Sequence, residues 1–140
     1  MTNTLRPFHL AFPVYNLDIA RKFYGEVLGC HEGRSTDHWI DFNLFGHQIV
    51  AHLSDAPRPL NKSDVDVEAV PIPRFGVVLT LNEWSALAEQ VQAAAIQFIV
   101  KPQVRFRGQA GEQATMFFLD PFGNAIEFKA MSDLTQLFGV

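Results

Sequence analysis

Apolar residues along the chain change period twice, in the same order each time. Residues 8–14 form a short apolar run, and the helical spacing of Ile19, Ala20, Phe23, Tyr24, Val27 and Leu28 then predicts one amphipathic helix, opened by Asn16 and stopped at Gly29. Two more apolar runs, 39–44 and 47–53, flank the Phe45-Gly46 turn. The order then recurs. Residues 75–81 are apolar, Asn82 opens a second helix with Trp84, Leu87, Ala88, Val91 and Ala94 or Ala95 on one face, and strands are predicted at 96–100, 115–119 and 125–130. Each half reads as strand, helix and a small antiparallel meander. Setting His9 against Arg74 lays one half on the other at an offset of 74 − 9 = 65 residues, the pattern of a tandem duplication.

Between the halves, residues 54–73 hold four prolines and six charged residues, a composition too polar to pack and expected of a surface linker. Segregated helices with mostly antiparallel strands make the fold class α+β rather than doubly wound. The expected organisation is a single domain over residues 1–140, with module one at 5–53, the linker at 54–73, module two at 74–131 and a tail at 132–140.

Bulk properties narrow the function classes. A chain of 140 residues with 48% apolar content and 13 Phe can bury a core of its own. A formal charge of −4, with no run of Lys or Arg, argues against a nucleic-acid partner. No apolar stretch approaches the roughly 18 residues that span a bilayer, and the first residues lack a basic region followed by a long apolar one, so a soluble, cytoplasmic protein is expected. The single Cys30 forms no internal disulfide, which fits a reducing compartment, and its place at the end of an apolar helix pattern marks it as a packing residue.

The stretch LDPFGNAIEF, residues 119–128, places a tight turn between two strands. Pro121 presets φ, and Gly123 with Asn124 tolerates the left-handed conformation that reverses the chain. Alternation then puts Glu127 on one face with Ala125 and Lys129, opposite Ile126 and Phe128. From this segment alone, that face is the wet side of an antiparallel strand.

FHLAFPVYNLDIARKFYGEVLG near the start and MFFLDPFGNAIEFKA near the end resemble the vicinal-oxygen-chelate superfamily, which includes glyoxalase I, fosfomycin-resistance proteins, extradiol dioxygenases and bleomycin-resistance proteins. The resemblance covers nearly the whole chain and is more specific for fold than for reaction. It implies two βαβββ modules whose strands curl into a cup, commonly a homodimer, with one divalent metal on the cup floor. It also implies ligands from the first and last strands of each module. By that correspondence His9 stands where the family often has its first histidine and Glu127 where it often has its carboxylate. His52 lies on the last strand of module one, and Arg74 stands where metal-binding relatives usually have another histidine, so the match fails there.

Neutral imidazole and carboxylate suit Zn, Ni, Mn or Fe(II), and His9, His52 and Glu127 would leave open positions for water or substrate. No short metal-site spacing occurs, so these three converge only through the fold. Arg74 has no lone pair to give and cannot be a ligand. Either three ligands hold a metal while Arg74 orients an anionic substrate, or the cup binds a ligand without metal, or Arg74 merely reaches solvent. Arg105 and Arg107, in a Gly-containing loop before the penultimate strand, are further candidates for anion capture. His47 is expected opposite His52 as a turn or outer residue, and His31 and His38 in an exposed polar segment. The expected function is a metal-dependent enzyme of lyase, isomerase or dioxygenase type on a small oxygenated or anionic molecule, with Glu127 doubling as general base in an isomerase reaction. The alternative is a metal-free binding protein of the bleomycin-resistance type.

Overall fold

The computed structural model describes residues 5–55, 61–62 and 71–139, and the chain divides into two compact units, 1–58 and 59–140. Unit one runs β1 (His9–Val14), α1 (Leu17–Ala20) continued by a π-helical segment (Arg21–Val27), β2 (His31–Ser35), β3 (Trp39–Leu44) and β4 (His47–Leu53). Its sheet order is β1-β4-β3-β2, with β1 parallel to β4 and the other pairs antiparallel.

The expected single α-helix after Asn16 is therefore wound differently. Asn16 caps it as read, its Oδ1 accepting from the Ile19 N–H at 3.0 Å, but from Arg21 the turns widen. The last one closes with the Leu28 N–H on the Phe23 carbonyl, five residues back. The adjacent Phe23 and Tyr24 are both buried, and Tyr24 packs between Phe12 and Phe42 at ring separations of 5.0 and 5.6 Å. Strand β2 was not expected, because its HEGRS sequence carries no apolar alternation. Backbone pairing to β3 makes it a strand, and most of its residues remain exposed.

Unit two contains β5 (Asn61–Lys62), β6 (Pro71–Ile72), β7 (Arg74–Phe75), β8 (Val78–Leu79), α2 (Leu81–Ala93), β9 (Phe98–Arg105), β10 (Gln113–Leu119), β11 (Ala125–Met131) and a 3₁₀ turn at Leu134–Gln136. Its main sheet runs β7-β11-β10-β9, with β7 and β8 both parallel to β11. Of the 54–73 linker, residues 56–60 and 63–70 lie outside the described residues, and the remainder includes the short antiparallel pair β5–β6. The second helix starts earlier than read: Thr80, not Asn82, is its cap, and Thr80 with Glu83 forms a reciprocal capping box. Its buried residues, Trp84, Leu87, Ala88 and Val91, are the predicted stripe. They cover one face of the sheet, where Phe118, Ile126 and Phe128 are fully buried, and the Trp84 indole N–H donates to the Phe128 carbonyl at 3.0 Å. Glu127 is on the other face.

Both units thus share the order strand, helix, three strands, and the protein is a mixed α+β fold with two main sheets. Among the described residues, no helix is long and apolar enough to cross a membrane.

Candidate functional site

The hairpin β10–β11 is the base of the site. Its turn is tied by Asp120, a buried side chain whose Oδ1 accepts from the Phe122 and Asn124 N–H groups at 2.8 Å, while Oδ2 accepts from Asn124 Nδ2 at 2.8 Å. Gly123 takes the left-handed conformation, φ +86°, that the sequence anticipates. The resulting register sets Phe117 opposite Glu127 and Thr115 opposite Lys129. Thr115, Phe117 and Glu127 consequently share a face.

The parallel edge strand adds Arg74. It pairs with Ala125, one same-face position before Glu127, and its Nε donates to Glu127 Oε1 at 2.9 Å. The guanidinium also lies over the Phe117 ring, 5.5 Å from its centroid. Thr115 Oγ1 donates to the other carboxylate oxygen, Oε2, at 2.9 Å. Between β7 and β8 the strand is interrupted at Gly76, which presses against the Glu127 backbone so closely that a Cβ would overlap its carbonyl group. Glu127 is therefore fixed from three sides: by its backbone, by a hydroxyl and by a guanidinium. The Arg74 side chain keeps 34% exposure and that of Glu127 17%, so the pair borders solvent. A cavity of about 200 Å³ opens beside it, lined by Arg74, Phe75, Gly76, Val77, Val78, Glu127 and Lys129.

The other candidates belong to unit one or lie further along the unit two sheet. In unit one, His9 is exposed at the start of β1 opposite Gln48, and its Nδ1 lies 2.8 Å from Gln48 Oε1. Gln48 thus engages the ring at Nδ1, and Nε2 is the nitrogen turned away from that contact. His52 is opposite Pro13, four residues further along, roughly 13 Å from the level of His9. It borders a different cavity with Pro13, Ser54 and Asp55, and its Nδ1 faces the Leu53 carbonyl at 3.3 Å. The structure does not bring the two histidines together on their sheet. The register also resolves the repeat: His9 opposite Gln48 and Arg74 opposite Ala125 make Val50 the counterpart of Glu127, and His52 the counterpart of Lys129. The last-strand carboxylate of unit two thus has an apolar equivalent in unit one.

Arg105 ends β9 opposite Gln113, which places it on the Glu127 face but six residues along β11 from the level of Arg74, roughly 20 Å away. Its guanidinium stacks over Phe106, and Arg107 lies in the exposed turn that follows. Neither is brought to Arg74. His47 accepts the Phe8 N–H at 2.8 Å, a structural role, and His31 and His38 are exposed.

These positions bear directly on the metal. Among the described residues, no group of three or more His, Cys, Asp or Glu is placed to hold an ion. Both Glu127 oxygens are engaged, one by a cation that opposes a second cation at the same place. As arranged, the donor set of unit two suits an oxyanion better than a metal ion. From the sequence Phe117 is expected as core or cup wall, while Thr115 and Gly76 carry no such signal. The hairpin register gives Thr115 once the Asp120–Asn124 turn is fixed, whereas nothing local marks Gly76.

Comparison with known proteins agrees with this architecture. Residues 6–128 match the family model "Glyoxalase/Bleomycin resistance protein/Dioxygenase superfamily". A glyoxalase/bleomycin resistance protein/dioxygenase from Alicyclobacillus acidocaldarius is 32% identical, with 95% of this chain and 96% of that one covered and a TM-score of 0.74. The fosfomycin resistance protein FosX from Listeria monocytogenes is 18% identical over 97% and 98% of the two chains, TM-score 0.66. A glyoxalase/dioxygenase from Nostoc punctiforme is 16% identical over 95% and 99%, TM-score 0.68, and these two share the fold alone. No curated protein matches the chain. With the family model spanning nearly all of both repeats and the strand order matching within each, the chain belongs to the glyoxalase/bleomycin resistance protein/dioxygenase superfamily.

Proposed function

We propose that this superfamily member binds a small oxygenated or anionic molecule at Arg74, on the face of unit two that carries Glu127, without a metal on that carboxylate. The observation that carries the reading is the 2.9 Å bond from Arg74 Nε to Glu127 Oε1. It spends one donor of the guanidinium and leaves the two Nη groups, on a side chain that keeps 34% exposure, as parallel donors suited to a carboxylate or phosphate. The Phe117 ring beneath the guanidinium and the Thr115 bond to Glu127 keep that geometry in place before a ligand arrives, which lowers the ordering cost of binding. The homodimer and cytoplasmic location expected from the sequence belong to the same proposal.

A metal-dependent enzyme with His9 and Glu127 among its donors is the second reading, without His52, which the register sets four residues along the sheet from His9. It is favoured by the His9–Gln48 contact, which engages Nδ1 and leaves Nε2 as the nitrogen placed to ligate. A bound ion would supply Lewis-acid polarisation of substrate oxygens. On this reading Glu127 exchanges Arg74 for the ion.

Elemental analysis and calorimetry together decide between them. Tag-free protein is incubated with Fe(II), Mn, Ni and Zn, dialysed and assayed for metal, then titrated with small carboxylates and phosphate. The first reading expects substoichiometric metal and saturable anion binding that weakens about tenfold or more in Arg74→Ala. One equivalent of metal, lost in both His9→Ala and Glu127→Ala, would establish the second instead.

A further inference from the structure

The Arg74–Glu127 pair carries no net charge, so a bare anion approaching the guanidinium meets a carboxylate beside it and gains little from Coulomb attraction. We infer that the ligand is a small carboxylate bearing a hydrogen-bond donor on the adjacent carbon, an α-hydroxy or α-amino acid in chemical class. The inference rests on the anion-binding reading above and adds what selects among anions.

Three features carry it. Arg74 Nε is committed to Glu127 Oε1, which leaves the Nη edge as the pair of parallel donors for the ligand's carboxylate. Each Glu127 oxygen already accepts one bond, from Arg74 or from Thr115, but an ionised carboxylate offers about four acceptor positions, and the side chain reaches solvent. Glu127 can therefore accept one more donor from a ligand held on Arg74. A hydroxyl or ammonium three bonds from the ligand's carboxylate oxygens turns the neighbouring negative charge from a repulsion into a contact, whereas an unsubstituted acid meets only the repulsion.

Size points the same way. The cavity of about 200 Å³ is smaller than the roughly 300–1,000 Å³ of drug-sized sites, which suits an acid of a few carbons. Gly76, Val77 and Val78 give it an apolar wall for a short alkyl group, with Gly76 seated directly against the Glu127 backbone.

The test is a titration of ¹⁵N-labelled full-length protein with 2-hydroxypropanoate, alanine, propanoate and phosphate, following the Arg74 Nε–Hε signal and the amides of Gly76 and Glu127. 2-Hydroxypropanoate, alanine or both should bind about tenfold or more tightly than propanoate, the stronger of the two identifying hydroxyl or ammonium as the donor. In Glu127→Gln, whose fold is checked by spectral dispersion, that preference should shrink several-fold because the full negative charge is gone. Equal binding of propanoate would overturn the donor inference and leave the anion reading standing. If none of the four moves the Arg74 signal in a well-dispersed spectrum, both are overturned.

Discussion

Thr115 on β10 and Glu127 on β11 are joined by a 2.9 Å hydrogen bond across a diagonal of the antiparallel ladder, one pair removed from direct opposition. The carboxylate can only accept, so the threonine hydroxyl donates and holds Oε2 while Arg74 holds Oε1. Thr115 acts on the site through Glu127 without facing the ligand's carboxylate itself.

Replacing Thr115 by Val keeps the shape and removes the donor. Glu127 then gains rotational freedom, and anion affinity at Arg74 should fall by about three- to tenfold, the equivalent of one modest hydrogen bond. Thr115→Ser should restore most of it. Calorimetric titration of the three proteins with one carboxylate makes the comparison, and unchanged affinity in Thr115→Val would remove Thr115 from the site.

Gly76 marks a second dependence. Any side chain there meets the Glu127 backbone, so Gly76→Ala must push β8 away from β11 or shift the carboxylate. An overpacking cost of about 1–3 kcal/mol is expected, a fall of several degrees in Tm for a chain of this size. Thermal unfolding by circular dichroism would show it, and the Arg74 Nε–Hε signal should move in the variant even where the protein stays folded.

The helix face of the same sheet depends on Trp84. Its indole N–H donates to the Phe128 carbonyl, and Trp84→Phe removes that donor while retaining an aromatic ring. The expected loss is about 0.5–1.5 kcal/mol in chemical denaturation, with anion affinity much less affected because the contact lies on the far side of β11.

Cys30 supplies a pH prediction. Burial pushes its thiol from 9.0 up to about 12, so the folded protein holds that proton where the unfolded chain has released it. Above pH 9 the unfolded state binds fewer protons, and stability therefore falls with rising pH through the window from 9 to about 12, at up to about 1.4 kcal/mol per pH unit. Below pH 9 the group contributes no slope. Denaturation midpoints across this range should flatten in Cys30→Ala relative to wild type, and a thiol reagent at pH 8 should label the denatured protein much faster than the native one.

The second helix and the last hairpin were legible because their signals are local. A 3.6-residue stripe from Trp84 to Val91 and a turn built on Pro121 and Gly123 need only neighbours in sequence. Elsewhere a competing local signal or a non-local partner decided the element. Thr80 displaced Asn82 as cap because Glu83 sits at the position that completes a capping box with Thr80. The polar strand β2 went unread because its hydrogen-bonding partner, not its side chains, makes it a strand. In the turn, Asp120 bears the hydrogen bonds, although Pro121 and Gly123 carry the more visible signal.

By itself the sequence determined the repeated order of strand, helix and meander, the superfamily, and the face on which Glu127 lies, since each follows from periodicity or a motif within one segment. Only the tertiary structure decided what that carboxylate does. Arg74 and Glu127 are 53 residues apart, and their contact exists because a short parallel edge strand meets β11 in one register. Parallel pairing encodes no turn that fixes its register in advance, so the same packing that joins Arg74 to Glu127 also places Val50 rather than His52 at the equivalent position of the first unit.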